Sequence, residues 1–213
     1  MFQKDTDRYT SKSTIRYTLA ALTQKGIVMS TSDVITKAAL ELFYRQGFHA
    51  SGVEQLSQHA GVTKKTLYRH FSSKEHLVEA ALQRRHNDFL LQMQEAVEAA
   101  PTQKKPQAYI EFIIAWTQSA DFHGCAFINA AAEYSAPSDP AHLLAREHKS
   151  QVQAYLQGLC SEADFYQPAS VAMQLFVIGE GLIVSSQVCG VTTEVISATR
   201  DLVALLCGSA SGK

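Results

Sequence analysis

Glycine and proline are scarce in this chain. Sixteen of its 213 residues are one or the other, about 7.5% against the roughly 12% of average usage. So few turn-formers cannot serve the many reverse turns of a β-sandwich or barrel, and they favour a few long helices. Long apolar runs are also missing. No stretch approaches the roughly 18 consecutive apolar residues of a membrane span. The best, 171–185, is interrupted by Gln174, Gly179, Glu180 and Gly181, and no secretory signal pattern opens the chain. The four cysteines (Cys125, Cys160, Cys189, Cys207) form no CxxC pair, and the eight histidines form no i, i+4 pair. Neither a zinc site, a redox dithiol nor any cofactor is therefore expected. Reduced, buried thiols in a cytoplasmic protein are the default. Charge of one sign is lacking as well: the net charge is -1, which taken alone argues against a nucleic-acid partner. With 46% hydrophobic residues, however, the chain can build an ordinary core, which excludes general disorder.

What is present is helical periodicity. Residues 1–29 carry Lys4, Arg8, Lys12, Arg16 and Lys25 against Asp5 and Asp7, and read as a flexible arm or an extension ahead of Met29. From Ser32 onward Val34, Ile35, Ala38, Ala39, Leu42 and Phe43 recur at helical spacing up to Gly47, a C-cap. Ser51-x-x-Glu54 opens a short segment to Ala60 as a capping box. Gly61 can take the positive φ of a tight turn, Thr63 can cap a second short helix to Phe71, and Ser72-x-x-Glu75 starts a long amphipathic helix. Pro101 and Pro106 break the pattern. Beyond them come helical segments over 109–120, 125–134, 142–160, 168–188 and 193–207, without repeats or low-complexity tracts. The fold class is all-α: a three-helix helix-turn-helix unit over 30–76, and a larger helical bundle over 77–213.

Two short helices joined by a glycine turn have helix-turn-helix proportions. The second places Lys64, Lys65, Tyr68, Arg69 and His70 off its core face, residues that reach phosphates and base edges in a major groove. Lys74 stands at the start of the following helix, where it and backbone N–H groups can hold a phosphate. The stretch Ser51-Gly-Val-Glu-Gln-Leu-Ser-Gln-His-Ala-Gly-Val-Thr-Lys-Lys-Thr-Leu-Tyr-Arg-His-Phe-Ser-Ser-Lys-Glu resembles the DNA-binding signature of the TetR/AcrR family of bacterial transcriptional regulators. Ala60-Gly61-Val62-Thr63 matches that family's turn, and Ala38-Ala39-x-x-Leu42-Phe43-x-x-x-Gly47-Phe48 its first helix. The similarity covers about 50 residues. Ser57 replaces the usual small Ala, and Lys65 stands where Gly is frequent, adding a cation to the recognition helix. By resemblance Tyr68, His70 and Lys74 bind phosphates. Lys64, Lys65 and Arg69 contact bases or nearby backbone, and Ser51 and Thr63 cap or touch phosphate.

Counting charge by segment removes the objection to DNA. Residues 1–85 hold 13 Lys and Arg against 7 Asp and Glu, a balance of +6, and residues 86–213 hold 6 against 13, a balance of -7. The near-zero total is a cancellation. A basic N-terminal part suits phosphate neutralisation and counterion release.

The resemblance implies that the second part dimerises and often encloses a small-molecule pocket. Val171, Leu175, Ile178 and Leu182 on one face of the 168–188 helix, with Leu202 and Leu205 on the last, are expected to form a four-helix subunit interface; an intrachain core is the alternative. Pocket candidates are Tyr109, Phe112, Trp116, Asn129, Glu133, Phe176 and Glu180, though the aromatic stripe at 109–116 equally suits plain core. Glu180 is expected to pair with Arg146 or His148, or else to recognise a ligand. His123-Gly124-Cys125 places an imidazole near a thiol, but no nucleophile–base–orienter set accompanies it, so enzyme chemistry is not expected. The expectation is a cytoplasmic, homodimeric DNA-binding regulator, a repressor released from a pseudo-palindromic double-stranded operator by a small effector. The alternative is a helical ligand-binding or thiol-sensing protein whose DNA motif no longer functions.

Overall fold

A computed structural model describes residues 29–210, so the basic 1–28 stretch lies outside the described residues. Among the described residues there are nine α-helices, one short 3₁₀ turn and no strand. The order is α1 (Thr31–Gln46), α2 (Val53–His59), α3 (Lys64–His70), α4 (Lys74–Glu98), α5 (Lys105–Thr117), α6 (Ala126–Glu133), α7 (Pro140–Glu162), α8 (Pro168–Cys189) and α9 (Thr193–Ala210).

Local chemistry sets most of these boundaries. α2 ends in a Schellman motif: Val62 N–H donates to the Ser57 carbonyl at 2.9 Å and Gly61 N–H to that of Gln58 at 3.0 Å. Gly61 takes φ +66° between them, a value that favours glycine. Thr63 caps α3 by accepting from Thr66 N–H. Asp139 caps α7, with Pro140 in its first turn. Both expected capping boxes shift. α2 starts at Val53 with Gly52 at the cap, so Ser51 is not its cap. The cap of α4 is Ser73, which accepts from His76 N–H, rather than Ser72. α4 then runs unbroken through residue 98, across the 76/77 division read from the sequence.

The core runs from Ile35, Leu42, Phe43 and Leu67 through Leu82 and Met93 to Ile113, Leu156 and Leu175. α8 packs on α5, α7 and α9, and here one expectation is overturned. Val171, Leu175 and Leu182 are buried within the chain and Ile178 is packed partly against the same core, so this face is not a subunit interface. The apolar side chains left outside are Met173, Val177, Val184 and Val188 (76% exposed) on α8, with Leu202 and Leu205 (73% exposed) on α9. α8 is apolar nearly all round, so its pattern carries no phase information, and packing alone decides which side faces inward. α8 is long and apolar enough to cross a membrane by length and composition. Its one carboxylate, Glu180, is however neutralised by Lys149 of α7, as a core helix of this bundle requires.

Candidate nucleic-acid interface and its connection to the helical core

α3 is anchored by Leu67, which is fully buried, and by the Thr63 cap. The anchor turns Lys64, Lys65, Tyr68 (47% exposed), Arg69 and His70 outward. Lys65, Tyr68, Arg69 and His70 make no hydrogen bond or ion pair with the described residues, so their donors face solvent. Lys64 pairs with Glu54 of α2, but both side chains are more than half exposed. Such a pair contributes little, and a phosphate can displace the carboxylate. Two expected contacts sit elsewhere. Ser51 is fully buried and donates its hydroxyl to the Gly47 carbonyl at 2.8 Å, so it closes the α1–α2 corner and offers nothing to a phosphate. Lys74 reaches back to the His49 carbonyl at 3.2 Å. Residues 29–85 hold 8 Lys and Arg against 5 Asp and Glu, so half of the basic excess belongs to the described part.

The α1–α2 corner is tied to the bundle by a carboxylate. Glu133, at the end of α6, accepts from Phe48 N–H at 2.9 Å, from His49 N–H at 2.6 Å and from His49 Nδ1 at 3.0 Å. Gly47 makes room for it. A Cβ there would lie 2.9 Å from Glu133 Oε1, and the backbone at φ +90° favours glycine in any case. Partial burial pushes the Glu133 carboxyl up, but the His49 and Phe48 amides and the His49 ring outweigh it and hold it below the usual range. Glu133 is therefore a tie between elements rather than a pocket wall. A second tie involves Tyr44 of α1. Its hydroxyl donates to the Gly124 carbonyl at 2.8 Å and accepts from His123 N–H at 3.0 Å. Arg85 of α4 lies over the Tyr44 ring at 5.3 Å, and also over Phe89 and Trp116.

A small cavity of about 10 Å³ lies in the bundle, room for about one water. Of the expected pocket residues it brings together Tyr109, Trp116 and Glu180, along with Arg85, Phe127 and Lys149. Phe112 packs in the core against Phe89, and Asn129 accepts from Gln187. Phe176 packs on the core away from the cavity. Glu180 pairs with Lys149 at 2.6 Å, not with Arg146 or His148. His148 instead stacks on Phe127 at 3.7 Å and meets His86 across a 3.1 Å Nδ1–Nδ1 contact. Burial, with Lys149, His86 and Arg85 nearby, pushes His148 down to about 2, so it stays neutral. This pair escaped sequence reasoning because its members lie 62 residues apart. The two His form no cluster of three with Cys, Asp or Glu, and no such cluster occurs among the described residues. His123 packs edge-on against Tyr44, whereas buried Cys125 accepts from Lys149 at 3.5 Å. The two residues do not act as a base–thiol pair. A wider, open groove of about 430 Å³ along α5 and α9 contains none of the expected pocket residues.

An all-helical bundle that presents a capped helix-turn-helix with a basic, aromatic outer face is the architecture of a bacterial DNA-binding regulator. Comparison with known proteins narrows the class. Residues 35–81 match the family described as bacterial regulatory proteins, tetR family. The chain is 35% identical over 81 residues to the HTH-type transcriptional activator FasR of Mycolicibacterium smegmatis, over 36% of this chain and 37% of that protein. It therefore aligns with little more than a third of that relative's length. It is 25% identical over 155 residues to the HTH-type transcriptional regulator YjdC of Escherichia coli, over 72% of this chain and 81% of that one. The crystal structure of SCO4454, a TetR-family transcriptional regulator from Streptomyces coelicolor, superimposes with a TM-score of 0.79 at 26% identity, covering 86% and 91% of the two chains. Residues 35–81 thus match the DNA-binding region of the tetR family, and the helical fold as a whole is similar to that of a TetR-family transcriptional regulator. These relatives are transcriptional regulators, not enzymes.

Proposed function

We propose that the chain is a cytoplasmic, homodimeric transcriptional regulator that represses from a pseudo-palindromic operator and is released by a small-molecule effector. The observation that carries this reading is the outer face of α3, where Lys65, Tyr68, Arg69 and His70 stand exposed on a helix fixed by the Thr63 cap and the Gly61 turn. Lys65 and Arg69 reach base edges or adjacent phosphates, Tyr68 and His70 bind phosphates, and Lys74 steadies the α1–α2 corner. Dimerisation is supported by the exposed apolar stripe of Met173, Val177, Val184 and Val188 on α8, continued by Leu202 and Leu205 on α9. Such a stripe on two adjacent helices marks an interaction surface. A two-fold dimer formed through it suits a pseudo-palindrome, whose half-sites lie about 34 Å apart, one turn of duplex. The small cavity beside Arg85 is the effector site. An effector releases DNA only if it binds better to the conformation that does not fit the operator.

Selection of bound sequences from random duplex DNA tests this reading. An inverted repeat is expected, with an affinity that falls steeply with salt. Lys65→Ala and Arg69→Ala should each weaken binding to the recovered site by about 1–3 kcal/mol if they contact bases. Recovery of no sequence by the folded protein refutes the proposal.

A further inference from the structure

Three charged side chains face the cavity in the bundle: Arg85 of α4, Lys149 of α7 and Glu180 of α8. Lys149 and Glu180 satisfy each other at 2.6 and 2.7 Å. Arg85 is held differently. Its guanidinium lies 5.3, 5.8 and 5.4 Å from the ring centres of Tyr44, Phe89 and Trp116, and no carboxylate among the described residues pairs with it. Ring faces attract the cation but accept none of its N–H bonds along the planar fork. The site thus carries two cations against one anion, within walls otherwise built largely from Tyr109, Trp116, Phe127, Val152 and Ile183. A positive surplus inside an apolar, aromatic wall selects strongly for ligand charge, because screening by water is weak there. A cationic ligand meets Arg85 and finds Glu180 already neutralised. A neutral ligand leaves the fork of Arg85 unused.

Taking this cavity as the effector site proposed above, and resting on that reading, we infer that the effector is an organic carboxylate with an apolar body. Its head group sits on Arg85, the cation left without a carboxylate, and its body against Trp116, Tyr109 and Phe127. Planar carboxylates match the guanidinium fork and form strong charge-assisted bonds with it. The cavity holds about 10 Å³, so the ligand must displace side chains to enter. Arg85 is the one that couples outward. Drawn onto a carboxylate, it leaves the ring of Tyr44, whose hydroxyl ties α1 to Gly124 and His123. The cation that recognises the ligand thereby loosens a tie of the helix-turn-helix unit.

Trp116 is the chain's single tryptophan and lies on the cavity wall, so its emission reports binding directly. The full-length protein is titrated with octanoate and 4-phenylbutyrate, and with the alcohol and the amine of each carbon skeleton. The acids are expected to bind at least about tenfold more tightly than their alcohols, a difference of one charge-assisted contact. Arg85→Gln should abolish that preference and Arg85→Lys retain part of it, with helical content checked for both. If Arg85→Gln does not fold, the ranking of probes by the unaltered protein decides. Alcohols or amines that bind as tightly as the acids overturn the carboxylate class and leave the pocket itself standing. If none of the six probes moves Trp116 emission, the pocket assignment fails, and the inference fails with it.

Discussion

Replacing Glu133 with glutamine tests the link between the helix-turn-helix unit and the bundle. The carboxylate now accepts three N–H bonds, from Phe48 N, His49 N and His49 Nδ1, at 2.9, 2.6 and 3.0 Å. Glutamine retains one carbonyl oxygen and turns an amide N–H₂ toward the remaining donors, so at least one contact becomes N–H against N–H. His49 is exposed, and water can replace its lost partner. Phe48 is buried, and its amide has no such recourse. Leaving one buried donor unmet and removing charge assistance from the others costs about 1–3 kcal/mol. For a domain of this size that lowers Tm by roughly 3–9 °C. The helix-turn-helix unit also loses part of what orients it, and about 1 kcal/mol of lost orientation corresponds to roughly fivefold in Kd for DNA. Thermal denaturation followed by circular dichroism, together with DNA titration at fixed salt, measures both effects. A variant with unchanged Tm and unchanged DNA affinity would refute the idea that this carboxylate couples the two parts.

Three further outcomes are expected from the same geometry. Val177→Asp and Leu205→Asp, each on the outer apolar stripe, should convert a dimer to monomers in sedimentation while helical content is kept, whereas Leu175→Asp should unfold the chain. His148 supplies a pH dependence. Its folded pKa of about 2 lies below the ordinary value, so the unfolded chain takes up the proton first, and the neutral ring's contribution is complete above about pH 6.5 and declines as pH falls toward 2. At pH 5 the loss is about 2 kcal/mol, and urea titrations at pH 7.5 and 5 should show it shrinking in His148→Phe; a variant that keeps the full difference would contradict this assignment. Glu133 acts in a separate window. Its lowered pKa makes its stabilising contribution present above the ordinary carboxylate range and lost as pH falls through the folded value, below the His148 measurement.

The DNA-reading end of this protein was largely legible in its amino-acid order. Its determinants are local: Leu67 four residues before Phe71, Thr63 three before Thr66, and Gly61 at the inter-helix turn, where φ is positive. Each acts within a turn or two of helix, a range over which residue type and spacing suffice. The misplaced boundaries, Ser51 and Ser72, show the limit of that range. A serine next to a helix start fits the cap equally well one residue away, and the corner chose Gly52 and Ser73.

Tertiary structure decided the rest. α8 is apolar on nearly every side, so nothing in its order distinguishes Leu175, which packs within the chain, from Val177 and Val188, which do not. Glu180 could pair with any cation of α7, and the crossing of α7 and α8 selected Lys149 over its neighbours Arg146 and His148. Glu133 acquired its role only because α6 ends where the backbone turns at Phe48 and His49, 85 and 84 residues away. Helix formation and capping depend on neighbours along the chain. Ion pairs and buried faces depend on which helices meet, and that is settled only when the whole bundle packs.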